Sequence, residues 1–338
     1  MRVISTLKHG RMLSGIDKLT SNDVLHITDQ FDRPTVDLLL KKGTPNCIVS
    51  DHYTSAPFVD TIKFYGLPLC AARDIKLITN KVHFDNTMST VNCFNFMINK
   101  KQINRYLCIK FVEYFKLDNF DYTWSAVDQR FDMSEILQEL QMLGSYSPLD
   151  EQAKSFILSP IQLEKRFIAF GDDTPSSFSI PSKGEYAWIW TNVMQQLFLN
   201  SAISLITESV QYQKAAMFSE KTMYSVLGLT FPIWIGGYNQ ASEWKKLGFD
   251  IFDDVINHNY QSYETLIERC YYAFADNIEL LADKNKSAEL RLVNKERLLN
   301  NRKLLLENQL GNWINHEINK YPTDLQVAMP EILNYFGF

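Results

Sequence analysis

Two short polar clusters carry the residue types of an anion site. The first is Thr207-Glu208-Ser209 and the second is Ser219-Glu220-Lys221-Thr222. Ser219 has the form of a helix N-cap, with Glu220, Lys221 and Thr222 in the first turn. A helix N-terminus offers free N–H groups and a partial positive charge, which suits a phosphate. Lys221 adds a full charge. Glu220 is an acceptor able to take hydrogen bonds from two ribose hydroxyls. Together these residues describe a nucleoside diphosphate site. They also have an ordinary explanation, since a Glu in a first helical turn complements the helix dipole in any protein.

The elements that would position them are legible nearby. Ile203–Ile206 is a short apolar run with β-branched residues, the signature of a buried parallel strand. Glu208 follows its end. Phe231–Ile235 reads as a second buried strand, closed by Gly236-Gly237. Residues 203–260 thus run strand, loop, helix, strand, glycine turn, helix. That is half of a doubly wound α/β domain, which binds ligands at the carboxyl ends of its strands. Both polar clusters fall at that edge.

These residues resemble a known pattern. Glu208-Ser209, Phe218-Ser219-Glu220-Lys221, Phe231-Pro232-Ile233 and the two glycines are similar to the donor-binding motif of α-1,3-fucosyltransferases and related GT-B glycosyltransferases. That motif reads E-N-S, Y-x-T-E-K, a small-residue helix, then V-P-V and G. Leu247-Gly248-Phe249-Asp250-Ile251-Phe252 resembles the L-G-F-x-T-F run of short viral and phage glycosyltransferase-like proteins. A second block, NFMINKKQINRYL over 95–107, resembles the opening of the same donor domain. Ser209 departs from the Asn of E-N-S, and Met223-Tyr224 from the residues usual after E-K-T. The first 90 residues resemble nothing named.

The resemblance implies two Rossmann-like α/β domains facing a cleft and a UDP- or GDP-sugar as donor substrate. It implies that Glu220 and Lys221 hold the ribose and phosphates. Arg105 matches the arginine that contacts the donor phosphates, a role suited to its planar bidentate fork. Glu208, Ser219, Thr222, Gly236 and Gly237 complete the expected donor set.

Sugar transfer requires the departing diphosphate to be neutralised. Transferases of the other common fold use a metal at Asp-x-Asp, and this chain contains no Asp-x-Asp. Lys221, Arg105 and a helix N-terminus would supply the positive potential instead, with no cofactor. An inverting reaction also needs a base for the acceptor hydroxyl. Asp51 is the first choice, with His52, Asp29 and Asp32 behind it, because all four follow expected strands of the front domain.

The bulk numbers fit an enzyme with two domains. The chain has 338 residues, 46% hydrophobic and 22% charged. The opening residues lack the long apolar core of a signal peptide, and no apolar run spans a bilayer. The five scattered cysteines show no C-x-x-C pairing, which fits a reducing, cytoplasmic setting and argues against a zinc or disulfide framework. Net charge is −5 but uneven. Residues 1–125 carry 16 Lys and Arg against 12 Asp and Glu, whereas 126–338 carry 18 against 27. A basic front half is compatible with DNA as the partner bearing the acceptor, for instance a hydroxylated base, and equally with a chance skew.

The expected organisation is an α/β acceptor domain over 1–90, a donor domain over 91–310, and a terminal helix over 311–338 packing back on the first domain. Strands are expected at Val3-Ile4, Val24–Thr28, Cys47–Ser50, Ile75–Ile78, Cys93–Ile98 and Asp121–Ser125, and a helix at Ala56–Tyr65. An amphipathic helix is expected at Ile103–Phe115, and further helices at Met133–Leu143, Asp150–Ile157, Ile161–Phe167 and Ser262–Leu281. Lys284–Glu307 reads as a solvated helix with a narrow apolar stripe. Two other acceptor classes, a saccharide or a protein, stay open, as does a non-catalytic nucleotide-binding scaffold. A Rossmann oxidoreductase is disfavoured, because no G-x-G-x-x-G follows an expected strand. Oligomeric state is not encoded legibly.

Overall fold

The structure is a computed structural model. It describes residues 2–6, 23–27, 47–50 and 60–63 as strand backbone, and 88–98, 102–124, 131, 133–143, 149–163, 190–208, 216 and 218–307 in fuller detail.

The chain is α/β, with two separate four-stranded parallel sheets. In the first, β1 (Arg2–Thr6), β2 (Asp23–Ile27), β3 (Cys47–Ser50) and β4 (Asp60–Lys63) pair in sequence order. All three pairings are parallel. Three of these strands fall where the sequence suggests. The fourth corrects it, because residues 60–63 are strand, not the middle of a helix over 56–65. Thr61 and Ile62 are β-branched and lie in register with Ile48 and Val49 of β3. Ladder pairing decides a segment whose local helical pattern is short. The strand expected at Ile75–Ile78 lies outside the described residues.

The second sheet is built from β5 (Asn92–Ile98), β6 (Phe120–Trp124), β7 (Ser201–Ile206) and β8 (Phe231–Trp234). Its order is β6-β5-β7-β8, parallel throughout. The chain runs from β5 outward to β6, then returns to the other side of β5 to begin β7. The sequence of strands therefore reverses between β5 and β7, which makes that junction a topological switch point. Pro232 sits in β8, the edge strand, where a missing N–H is tolerated. Across β5 and β6 the pairs Phe94–Phe120 and Phe96–Tyr122 stack with ring centroids 5.2 and 5.1 Å apart.

Helices pack around this sheet. Helix α1 (Ile103–Tyr114) follows β5 and packs on α3 (Glu151–Ile157) and α7 (Leu266–Ala275). Helix α2 (Met133–Met142) adds Ile136 and Glu139 to the buried residues. A π-helical turn, Trp190–Met194, leads into α4 (Gln195–Leu199). Helix α5 (Glu220–Leu227) lies between β7 and β8 in sequence and packs on both, on α4 and on α10 (Lys295–Leu306). Helices α6 (Gln240–Lys246), α8 (Ile278–Ala282) and α9 (Lys284–Val293) complete the described set.

Several expectations change at this level. Helix α1 is not amphipathic. Ten of its residues are buried, including Arg105 and Lys110, with α3 and α7 packed against it. Residues 161–163 are not helical. The helix expected over 262–281 is broken around Asn277 into α7 and α8, and 284–307 breaks at Asn294 into α9 and α10. Arg291 and Arg302 in that stretch are buried rather than solvated. Among the described residues no helix is long and apolar enough to cross a membrane, and Cys93, Cys108 and Cys270 are buried free thiols.

Candidate functional site

The carboxyl ends of β5 and β7 bring the two polar clusters and Arg105 together. Thr207 and Glu208 directly follow β7. Thr207 Oγ1 donates to the Met97 carbonyl near the end of β5, at 2.9 Å. This bond ties the two strand ends together at the switch point. Arg105 and its neighbour Asn104 sit in the first turn of α1. Arg105 Nη2 donates to the Thr207 carbonyl at 3.4 Å. Asn104 Nδ2 donates to the carbonyls of Glu208 and Ile235, at 3.0 and 3.3 Å. Asn104 thus bridges the ends of β7 and β8.

Glu208 is fully buried, and its carboxylate is occupied by α5. Oε1 accepts from the Ser219 N–H at 2.9 Å and from Thr222 Oγ1 at 2.8 Å. Oε2 accepts a short bond from Ser219 Oγ. Ser219 is the N-cap of α5, as its position suggests, and its Oγ accepts from the Lys221 N–H at 3.3 Å. Thr222 Oγ1 in turn accepts from Trp234 Nε1 at 3.1 Å. Glu208 therefore acts as a clamp that fixes where the α5 N-terminus points.

Lys221 is 5% exposed. Its ammonium donates to Glu220 Oε1 at 2.8 Å and to Ser219 Oγ at 3.3 Å. An ammonium has three donors, so these two bonds leave capacity for a ligand oxygen. The Glu220 side chain stays a quarter exposed, which leaves it open to a ligand hydroxyl.

The site's electrostatics follow from burial and proximity. Burial raises the Glu208 carboxyl above its usual value, although Lys221 and the Ser219 hydroxyl oppose the shift. Burial also presses on Glu220, but Lys221 and then Arg105 outweigh it, and its pKa is lowered. Burial brings Arg105 down to about 10 against the pull of Glu220 and Glu208. It stays protonated at neutral pH.

A pH prediction follows from these two carboxyls. The folded pKa of Glu208 is raised, so its contribution to stability is fully present below about 4.5 and is lost as pH rises through the raised value. The folded pKa of Glu220 is lowered, so its contribution is present above about 4.5 and is lost as pH falls. Urea unfolding across the acid-to-neutral range should show Glu208→Gln flattening the limb above that pH. Glu220→Gln should act on the limb below it. Identical pH profiles for Glu208→Gln and the wild type would refute the burial-raised pKa of Glu208.

The two glycines have steric reasons for being glycine. Gly236 has φ 75°, which an L side chain rarely adopts. A Cβ on Gly237 would lie 1.5 Å from Gln240 Oε1 and 3.0 Å from Trp234 Cβ. The turn is held from outside by Arg269, whose Nε donates to the Gly236 carbonyl at 3.0 Å. Arg269 and Asn104 are the residues that sequence reasoning missed. Asn104 had a signal, standing beside Arg105 at the start of a helix. Arg269 had none, lying 33 residues from the carbonyl it holds.

Asp51, His52, Asp29 and Asp32 lie outside the described residues. Among the described residues no group of three His, Cys, Asp or Glu side chains is placed to hold a metal ion. No family model, curated protein or solved structure matches the chain.

Proposed function

We propose that the chain is a glycosyltransferase of GT-B type that takes its sugar from a nucleoside diphosphate. The observation that carries this reading is the meeting of Arg105, Glu220 and Lys221 at the carboxyl edge of the β5–β7 switch point. Doubly wound sheets use that edge for ligands, and the resemblance of the same residues to the fucosyltransferase donor motif supports it independently. Lys221, Arg105 and the α5 N-terminus stabilise the negative charge that develops on the departing diphosphate. Glu220 accepts from the ribose hydroxyls. Glu208 holds α5 in place and stays out of contact with the donor. A base from the first 90 residues, Asp51 before His52 and Asp29, deprotonates the acceptor hydroxyl.

Thermal melting with UDP, GDP, TDP and CMP tests the donor site. One nucleoside diphosphate at a hundred times its dissociation constant should stabilise the protein by about 2.7 kcal/mol. Lys221→Ala should abolish that shift without lowering the melting temperature of the free protein by more than a few degrees. Absence of a shift with all four nucleotides would overturn the reading. A shift without sugar transfer from the matching nucleotide sugars would favour a nucleotide-binding scaffold. The acceptor classes separate by salt: DNA binding that weakens steeply with ionic strength marks a hydroxylated DNA acceptor, and its absence a saccharide or protein.

A further inference from the structure

A concavity lies beyond the glycine turn. It is a cleft of about 620 Å³ between α6 and the segment 251–262, within the range of small-molecule sites. We infer that this cleft binds an uncharged polyhydroxyl compound, of the size of one or two sugar rings. The inference does not depend on the nucleotide reading.

Charge in the cleft is already balanced. Asp253 is paired with Lys245 at 2.6 Å, and Asp254 with Arg297 at 2.8 Å. A charged ligand would have to compete with these pairs, whereas a neutral one would not. The remaining polar groups both donate and accept, as sugar hydroxyls do. Ser242 Oγ donates to the Asn239 carbonyl at 2.9 Å, and Ser262 Oγ to the Asn259 carbonyl at 2.7 Å. Both hydroxyl oxygens therefore keep lone pairs for a ligand. Ile251 and Val255 supply apolar surface for the C–H face of a ring.

His258 adds an acceptor that lacks a donor. Its Nε2 lies 2.9 Å from the Ile251 carbonyl. A carbonyl only accepts, so Nε2 carries the proton and Nδ1 is a bare acceptor. Nδ1 is buried in the cleft wall with no hydrogen-bond partner. A buried acceptor without a donor is costly, and a ligand hydroxyl reaching it would satisfy it. Burial also lowers the pKa of this imidazole, which keeps it neutral. The ring stands 5.8 Å from that of Trp234, the residue that bonds Thr222. The cleft is thus a neighbour of the α5 site.

Saturation-transfer NMR on the full chain tests the inference, with D-glucose, N-acetyl-D-glucosamine and maltose as probes and glucose 6-phosphate as the charged comparator. At least one neutral probe should bind in the millimolar range, and glucose 6-phosphate no more tightly than glucose. Ser242→Trp, at an exposed position on one wall, should weaken binding at least tenfold. Ser262→Trp on the other wall does the same and serves as the second variant if the first unfolds. Lys221→Ala should leave saccharide binding unchanged, which separates this cleft from the nucleotide site. No signal from any neutral probe would overturn the inference, as would undiminished binding in both tryptophan variants or a tenfold preference for the phosphate.

Discussion

Replacing Arg291 by methionine is expected to lower the free energy of unfolding by about 3–5 kcal/mol. Arg291 is completely buried on α9, and its guanidinium is spread over backbone carbonyls. Nη2 donates to Gly228 O at 2.7 Å, Nε to Leu229 O at 2.9 Å, and Nη1 to Leu199 O at 2.8 Å and Thr90 Oγ1 at 3.2 Å. Gly228 is the C-cap of α5, and Leu199 is the last residue of α4. The cation therefore sits at the negative ends of two helices and satisfies carbonyls that the helices leave open. Burial brings its pKa down to about 10, and it remains charged at neutral pH. Methionine keeps much of the stem volume but strands three buried carbonyls. Lysine should recover little, because a point charge cannot span them as a planar fork does. Denaturant unfolding followed by far-ultraviolet circular dichroism measures the loss. A change below about 1 kcal/mol would show that the carbonyls find other partners and that Arg291 is not the tie described.

Glu208→Ala should cost about 2–4 kcal/mol and should also abolish the nucleotide-dependent shift. The substitution removes the acceptor for the Ser219 N–H, the Ser219 hydroxyl and the Thr222 hydroxyl at once. It also leaves Lys221 without the second carboxylate acting on it. Helix α5 then loses the contact that fixes its N-terminus against β7. Glu208→Gln should cost less, because one amide oxygen still accepts from Ser219 N–H and Thr222. The two variants separate clamp from ligand contact. If Glu208→Gln binds the nucleotide with near wild-type affinity while Glu208→Ala does not, positioning is the role. Wild-type stability in Glu208→Ala would refute the clamp.

The opposite ends of α5 carry these two effects. Its N-terminus faces the candidate site, held by Glu208. Its C-terminus is gripped by Arg291, with Arg302 Nη1 donating to the Leu227 carbonyl at 3.3 Å. A helix of eight residues is marginal alone. Fixing both ends lets it present a first turn in a defined direction, which preorganised recognition requires.

Local pattern determined much of this protein. The apolar runs at 93–98, 203–206 and 231–235 could only be satisfied as buried strands. Ser219 before Glu220-Lys221-Thr222 announced a helix start, and Gly236 a turn, because caps and positive φ depend on a residue and its immediate neighbours. Those are short-range causes, and the sequence carries them openly. Tertiary structure decided the rest. Arg291 and Arg302 lie among Lys, Glu and Asn, so their composition read as a solvated face. Only the packing of α9 and α10 on the ends of α4 and α5 buries them. Residues 60–63 became strand because β3 offered a parallel partner. The three hydrogen bonds that Glu208 accepts come from α5, 11 to 14 residues along the chain, a convergence that no local spacing announces. Strand order, which sets the switch point beside Arg105, comes from pairings between residues more than a hundred positions apart, and no local spacing records it.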